Sequence, residues 1–283
     1  VTRFDYDNDG IEEYVCRMDQ YFAYISLAGG AVPELDIIKN SSNYADNLKK
    51  NELHDGCEDG YDRGLFVDHL FTDEQLKKYV NGEAAGDGVF SRIQYSELKY
   101  SQHHREIHLN AKAVWKPTGQ TVYLRKKYII NSTGMYIQYI IKNDSSKPLA
   151  AKFAVESNMT NVAFGQKNDS GFSIETVDNG QICNIDTHAA SKSLNEKGKL
   201  SDIHVVRISD QTNGISFVFE PEEKCGYTFN PVFVKIYGYN HEKEDIVNQI
   251  YVSTLYWDVN IEPGMETEKS INFTIIPVKK IKK

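Results

Sequence analysis

From residue 106 onward, hydrophobic and polar residues alternate with a period of two along most of the chain. The segment EIHLNAKAV places Ile107, Leu109, Ala111 and Ala113 on one side and polar residues on the other. The same alternation recurs in GMYIQYIIK, AAKFAVES, GISFVFE, PVFVKIYGY and KSINFTII. Because neighbouring side chains of a strand point to opposite faces, the pattern predicts strands with one buried face. We expect about a dozen strands, almost continuous over residues 106 to 276, packed as one large antiparallel β-sandwich.

Turn-forming dipeptides separate these predicted strands. Asn179-Gly180 and Asn213-Gly214 each indicate a hairpin with a type I′ turn, and Pro263-Gly264 indicates a further turn. Helical patterns are scarce. The segment TDEQLKKYV predicts a short helix, with Thr72 as its N-cap, acids in its first turn, lysines later and Gly82 as a stop. The sequence therefore predicts an all-β protein with one short helix.

Composition narrows the class of protein. The chain has 283 residues, of which 40% are hydrophobic, so residues 1–283 can bury a large core as a single domain. The formal net charge of -8 argues against binding to nucleic acid. No apolar run approaches the length of a membrane span, and no secretory segment is present. The chain opens inside a motif rather than at Met, and we interpret it as a fragment of a longer protein.

Cysteine usage predicts a reduced, cytoplasmic environment. The 4 cysteines form no C-x-x-C pair and are few for a chain of this length, so a disulfide scaffold and a zinc site are both disfavoured. They are Cys16, Cys57, Cys183 and Cys225.

The N-terminal stretch DYDNDGIEEY is a candidate metal loop. Acids on alternate residues repel one another unless a cation or solvent neutralises them, and Gly10 allows a sharp turn. The stretch is no EF-hand, because Cys16 stands where that loop needs a bidentate Glu, and strand-like residues follow. A structural calcium ion suits this set of hard oxygen ligands, and a solvated acidic turn is the alternative. The predicted ligands are the side chains of Asp5, Asp7, Asp9 and Glu13 and the carbonyl of Ile11.

A second candidate site lies in SQHHREIH. If this segment is a strand, His104, Glu106 and His108 share one face. Two imidazoles and a carboxylate can bind a metal or act on a sugar ring oxygen, as His and a carboxylate do in mutarotase-like sites. The alternative is a plain solvent face, because Ile107 and Leu109 occupy the opposite one.

Two further positions are considered for sugar chemistry. Trp115, beside the turn in AVWKPTG, is expected at a rim where its ring could stack on a sugar. Asp68-His69 is the most suggestive acid–base pair, but adjacent residues of a strand point apart, which favours a structural role. We assign no catalytic residue.

The N-terminal third also carries a family resemblance. DYDNDGIEEY, YFAYISLAGGAVPELDI, YADNLKKNELHDG and DRGLFVDHLF follow one another in order. This series resembles the C-terminal domain of the α-amylase/4-α-glucanotransferase group of glycoside hydrolase family 57. The matching residues are Asp5, Asp7, Asp9 and Gly10; Gly29 and Gly30; Glu34 and Leu35; and Arg63, Asp68 and His69.

The resemblance implies a β-sandwich similar to the galactose-mutarotase supersandwich. In such enzymes the sandwich packs behind a separate barrel that carries the catalytic acids, and no barrel pattern occurs in these 283 residues. The expected role is therefore noncatalytic: to support the barrel and to contact an α-glucan or maltooligosaccharide. Two alternatives remain open, a mutarotase-like sugar epimerase and an autonomous carbohydrate-binding module.

Overall fold

The computed structural model describes residues 1–6, 8–45, 60–81, 88–160, 172–178, 181–185, 201–237 and 244–278. Within these ranges the chain forms three antiparallel sheets, an α-helix and one 3₁₀ turn. The all-β class with one short helix is thus confirmed, as is the antiparallel sandwich. The described ranges contain eighteen strands; eleven of them lie between residues 106 and 277, where about a dozen are expected, and seven precede this stretch.

The strands, in chain order, are β1 Thr2–Phe4, β2 Glu13–Arg17, β3 Tyr21–Ile25, β4 Glu34–Ile37, β5 Ser42–Asn43, β6 Val67–Phe71, β7 Ser96–Ser101, β8 Glu106–Trp115, β9 Gln120–Asn131, β10 Gly134–Asn143, β11 Leu149–Thr160, β12 Phe172–Asp178, β13 Gln181–Ile185, β14 Ile203–Asp210, β15 Ile215–Pro221, β16 Gly226–Tyr237, β17 Glu244–Ile261 and β18 Glu266–Pro277. The helix α1 spans Asp73–Val80, and the 3₁₀ turn spans Val89–Arg92.

The strands form a large sheet, a small sheet and an N-terminal sheet. The large sheet has the order β13-β12-β14-β15-β18-β10-β9-β8-β7, and the small sheet has the order β16-β17-β11-β6. The N-terminal sheet keeps chain order from β1 to β5. Buried side chains from all three sheets, such as Ala23, Leu70 and Phe273, belong to one hydrophobic cluster. The inward faces predicted by alternation therefore meet in a shared core.

Helix α1 begins where the sequence predicts. Thr72 Oγ1 accepts a hydrogen bond from the Gln75 amide at 3.1 Å, and Gln75 Oε1 accepts one from the Thr72 amide at 2.9 Å. This reciprocal pair is a capping box, which satisfies amides that the first turn leaves without partners. Leu76 and Val80 pack against Phe71 and Ala154, so the helix covers the outer face of the small sheet.

The predicted turns are partly corrected by the structure. Strands β12 and β13 pair with Asp178 opposite Gln181, while Asn179-Gly180 lies outside the described residues. Asn213-Gly214 does connect β14 to β15, but Asp210 pairs with Ile215, so the loop has four residues. A type I′ turn needs positive φ at both central residues, and only Gly214 of this dipeptide has it, with φ 66°. The type I′ prediction there is wrong.

The turn predicted at Pro263-Gly264 is present. The Met265 amide donates to the Glu262 carbonyl at 3.0 Å, and Gly264 has φ 76°. A proline followed by a residue of positive φ is the pattern of a type II turn.

Candidate functional site

A buried group of polar side chains lies on the outer face of the small sheet. In the β6–β11 register, His69 pairs with Ala154 and Glu156 pairs with Val67. This places the His69 and Glu156 side chains on one face, with His69 Nε2 3.1 Å from Glu156 Oε2. The two side chains are 2% and 0% exposed. An acid–imidazole pair is therefore sealed from solvent.

Several other groups converge on the same carboxylate. Tyr79 on α1 donates its hydroxyl to Glu156 Oε2 at 2.6 Å, and Tyr61 does so at 2.9 Å. Asn158 Nδ2 donates to Glu156 Oε1 at 2.6 Å and in turn accepts from Arg63 at 2.9 Å. We call these side chains the Glu156 cluster; its members are Tyr61, Arg63, His69, Tyr79, Glu156 and Asn158.

The cluster stabilises the ionised form of Glu156. Burial alone would raise the pKa of this carboxyl, but hydrogen bonding from His69 and the nearby charges of His69 and Arg63 hold the pKa well below its ordinary value. Burial and the same carboxylate raise the pKa of Tyr79, so its hydroxyl keeps its proton and donates. Because an ionised carboxylate only accepts hydrogen bonds, His69 Nε2 must carry the proton it donates.

The other imidazole nitrogen is enclosed as well. His69 Nδ1 is buried and has no hydrogen-bond partner among the described residues. Gly88 packs directly against it, since a Cβ at this glycine would lie 2.1 Å from Nδ1. The ring also stacks on Phe71 at 5.0 Å between centroids. The pair is consequently held in one orientation, and the described residues around both groups leave them 2% and 0% exposed.

Asp68 points the opposite way from His69, into the sandwich. Its Oδ2 accepts from Lys126 Nζ on β9 and from the Tyr95 hydroxyl, each at 2.8 Å. Lys126 also donates to the carbonyl of Phe66. Both charged side chains are 0% exposed, and burial raises the pKa of Asp68 and lowers the pKa of Lys126. This ion pair joins the small sheet to the large one.

The residues of SQHHREIH are only partly brought together. Strand β8 begins at Glu106, so His104 lies in the preceding turn, and the shared face predicted for all three residues is wrong. Glu106 and His108 do meet, with Oε2 and Nε2 3.1 Å apart on the outer face of the large sheet. Their side chains are 22% and 27% exposed, and Lys99 and Lys127 lie near Glu106. Hydrogen bonds from His108 and Lys127, with their nearby charges, lower the pKa of Glu106.

The rim position expected for Trp115 is wrong. Its side chain is 1% exposed, and its Nε1 donates to the Leu70 carbonyl at 3.0 Å. Strand alternation continues through the end of β8 and turns this ring inward. The other tryptophan, Trp257, is also buried and stacks with Phe153.

The acidic N-terminal loop is held by carboxylate-to-amide hydrogen bonds. Asp5 Oδ2 accepts from the Gly10 amide at 3.1 Å, and Glu13 Oε2 accepts from the Tyr6 amide at 3.0 Å. Asp9 Oδ1 accepts from the Ile11 amide at 2.7 Å. Asp7 lies outside the described residues. Within the described residues, no group of three or more His, Cys, Asp or Glu side chains is placed to hold a metal.

Sequence reasoning missed Glu156 and Lys126. Alternation in QTVYLRKKYII puts Lys126 at an inward position between Leu124 and Tyr128. A charge at such a position predicts a buried partner, since an unpaired buried charge is strongly unfavourable. Glu156 carries no comparable signal, because an acid at an outward position is ordinary. Among the described residues, Tyr79 of the covering helix and Tyr61 lie against it.

The fold is a β-sandwich that resembles those of galactose mutarotase-like proteins. A galactose mutarotase-like protein from Lactobacillus casei has a TM-score of 0.62 at 8% identity, covering 93% of this chain and 100% of that chain. One from Clostridium acetobutylicum has a TM-score of 0.56 at 10% identity, covering 95% and 96%. The 4-alpha-glucanotransferase from Thermococcus litoralis has a TM-score of 0.70 at 17% identity, covering 96% of this chain and 39% of that chain.

Family membership follows from the sequence itself. Residues 49–234 match the family described as alpha-amylase/4-alpha-glucanotransferase, C-terminal. The chain belongs to this family. It spans 39% of the length of the Thermococcus enzyme. A sequence comparison with curated proteins finds no match. Among the described residues, no helix has the length and apolar character needed to cross a membrane.

Proposed function

We propose that this chain is a noncatalytic β-sandwich domain of an α-glucan-acting glycoside hydrolase or 4-α-glucanotransferase, where it supports a catalytic barrel. The observation that supports the proposal is the closure of the Glu156 cluster. Glycoside cleavage needs two carboxyl groups that reach one sugar, one of them able to give up a proton. Glu156 is 0% exposed, and its pKa is held well below its ordinary value. It therefore lacks both the access and the proton.

The test is to incubate the purified chain with maltoheptaose and separate the products by chromatography. We expect no shorter and no longer oligosaccharides, while an intact 4-α-glucanotransferase under the same conditions produces both. Products that disappear in a Glu156→Gln variant of the chain would overturn the proposal and make the cluster an active site.

A mutarotase-like epimerase is the second candidate, favoured by the fold likeness and by the His69–Glu156 pair. A histidine and a carboxylate are suited to proton transfer at a sugar ring oxygen. Freshly dissolved α-glucose changes its optical rotation spontaneously, and an epimerase accelerates that change. We expect the chain to leave the rate unchanged, because both groups face protein rather than solvent. Acceleration that is lost in His69→Ala supports the epimerase instead.

The proposal includes a structural calcium ion in the N-terminal loop, held by Asp5, Asp7, Asp9, Glu13 and the Ile11 carbonyl. Asp5 Oδ1 is buried and has no hydrogen-bond partner among the described residues, and Glu13 is 4% exposed. Hard carboxylate oxygens such as these are the ligands that calcium prefers. The ion would neutralise these acids and fix the entry into β2; it supplies no reactive group.

Calcium binding is tested by thermal unfolding with calcium and with chelator. A ligand that binds only the folded state at a hundredfold excess over its Kd stabilises it by about 2.7 kcal/mol. We expect calcium to raise the Tm of the chain, and the Asp7→Ala and Asp5→Ala variants to lose that rise. Glu12→Ala, which removes a neighbouring exposed acid paired with Arg3, should keep it. Identical melting curves with calcium and with chelator would show that the N-terminal loop is an acidic turn that binds no calcium.

A cytoplasmic location also remains part of the proposal. Within the described part of the chain, Cys16, Cys183 and Cys225 are free thiols. Burial raises the pKa of Cys16 to about 12 and that of Cys225 to about 12, so both stay protonated and unreactive. Free, buried thiols fit a reducing compartment.

A further inference from the structure

The outer face of the N-terminal sheet carries aromatic rings where alternation would place polar residues. In β3, Tyr21, Ala23 and Ile25 are buried, which turns Phe22 and Tyr24 outward, and both are half-buried. Two consecutive outward aromatic positions depart from the polar outer face that a half-buried strand normally shows. Aromatic rings at outward positions are placed to make contacts with a ligand.

A third ring extends this surface. Tyr6 follows β1 and is 43% exposed, and its ring lies 4.4 Å from that of Tyr24, between centroids. Its hydroxyl donates to Glu34 Oε2 at 2.6 Å, which raises the pKa of Tyr6 to about 12. The ring is thereby fixed over Tyr24 and stays neutral. We call Tyr6, Phe22 and Tyr24 the aromatic platform.

Polar groups border the platform on both sides. In the β3–β4 register, Phe22 lies opposite Asp36 and Tyr24 lies opposite Glu34. On the other side Arg17 lies opposite Phe22, with its guanidinium 5.2 Å from the ring centroid. Carboxylates accept hydrogen bonds and a guanidinium donates them. The rings are therefore flanked by groups that can accept hydrogen bonds from hydroxyls and by a group that can donate hydrogen bonds to them.

We propose that the aromatic platform binds an α-glucan chain, with sugar rings packed on Tyr6, Phe22 and Tyr24 and hydroxyls bound by Glu34, Asp36 and Arg17. The C–H faces of a sugar ring are apolar and pack on aromatic planes, while its edge carries hydroxyls. A neutral polyol satisfies both parts of this surface. A polyanion is disfavoured by the paired carboxylates, in keeping with the net charge of -8.

The choice of an α-glucan rests on the proposed function; the choice of a neutral carbohydrate rests on the surface itself. The platform lies on the N-terminal sheet and shares no residue with the Glu156 cluster on the small sheet. Binding at the platform and chemistry at the cluster can accordingly be measured apart.

The experiment is titration of the chain with maltoheptaose by calorimetry, for the unmodified protein and for Phe22→Ala and Tyr24→Ala. We expect saturable binding and at least a tenfold rise in Kd for each variant, a change of about 1.4 kcal/mol. The matched control is Tyr123→Ala, which removes a half-buried outward tyrosine of the large sheet. It should bind as the unmodified protein does. Circular dichroism melts establish that each variant is folded.

Two results would overturn the inference. One is a folded chain that shows no binding of maltoheptaose; the other is binding that Phe22→Ala and Tyr24→Ala leave unchanged. Neither result touches the proposed function, whose failure would show instead as newly formed oligosaccharides in the same samples. Dextran sulfate, titrated in parallel, should not bind, and competition by it would overturn the assignment to a neutral polyol.

Discussion

The ionisation of Glu156 makes the stability of the fold depend on pH. The folded-state pKa of this carboxyl lies below its unfolded value of about 4.3. The folded protein therefore binds fewer protons than the unfolded chain in acid, and the stabilisation is present above pH 4.3 and lost as pH falls below it. We expect the free energy of unfolding to fall steeply below about pH 4.3, measured by denaturant titration at several pH values.

The Glu156→Gln variant isolates this contribution. At neutral pH we expect it to be about 1–3 kcal/mol less stable, because its amide nitrogen faces hydrogen-bond donors and leaves one of them unsatisfied. Its stability should also change less between pH 5 and pH 3 than that of the unmodified chain. Glu106→Gln is the control: its carboxyl also has a lowered pKa, but it lies on the exposed face of the large sheet. A similar acid slope in the unmodified protein and Glu156→Gln would contradict the prediction.

Single side chains show what the sequence could and could not predict. Alternation correctly turns His69 and Asp68 to opposite faces, because strand geometry alone decides it. Trp115 is buried although a turn follows it, because its place in the alternation of β8, and not the nearby turn, decides where the ring points. The burial of Glu156 depends on α1 and on Tyr61, which are distant in sequence from β11. A local sequence pattern does not indicate that such distant residues will cover a side chain.

At the level of secondary structure, the capping box of α1 has an effect beyond the helix. The helix positions Tyr79, whose hydroxyl forms hydrogen bonds with Glu156 and Thr254. At the C-terminal end of the helix, Asn230 Nδ2 donates to the carbonyls of Tyr79 and Val80. Thr72→Ala removes the side-chain acceptor of the first turn and should lower the free energy of unfolding by about 1 kcal/mol. Thr72→Ser keeps the hydroxyl and should cost much less. Equal stabilities of the two variants, by denaturant titration, would count against the cap.

The helix and most long strands were predictable because each carries its own periodicity and boundary residues. The N-terminal sheet was not fully predicted, since β1 and β5 are too short for alternation to be seen. The hairpin loop before β15 was given the wrong turn type because register, set by Asp210 opposite Ile215, decides loop length. The same Asn-Gly dipeptide fits more than one loop.

For the whole molecule, the buried Lys126–Asp68 ion pair is a charged connection between the large and small sheets. Lys126→Met removes one charge and leaves Asp68 uncompensated in the core, at an expected cost of about 3–5 kcal/mol. Adding Asp68→Asn removes the second charge and keeps an acceptor for Tyr95, so the double variant should recover part of the loss. Denaturant titration of the unmodified protein and these variants measures the coupling energy between the Lys126 and Asp68 side chains. A Lys126→Met variant as stable as the unmodified protein would show that the pair does not hold the sheets.

Strand order in the large sheet has a consequence for synthesis. Strand β18 comes last among the described strands, yet it lies between β10 and β15 and pairs with both. While a ribosome is still translating residues 266–277, the nascent β10 and β15 have edges with no partner. Unpaired strand edges are the surfaces through which chains aggregate. The growing polypeptide therefore exposes these two strand edges until β18 emerges from the exit tunnel and closes the sheet.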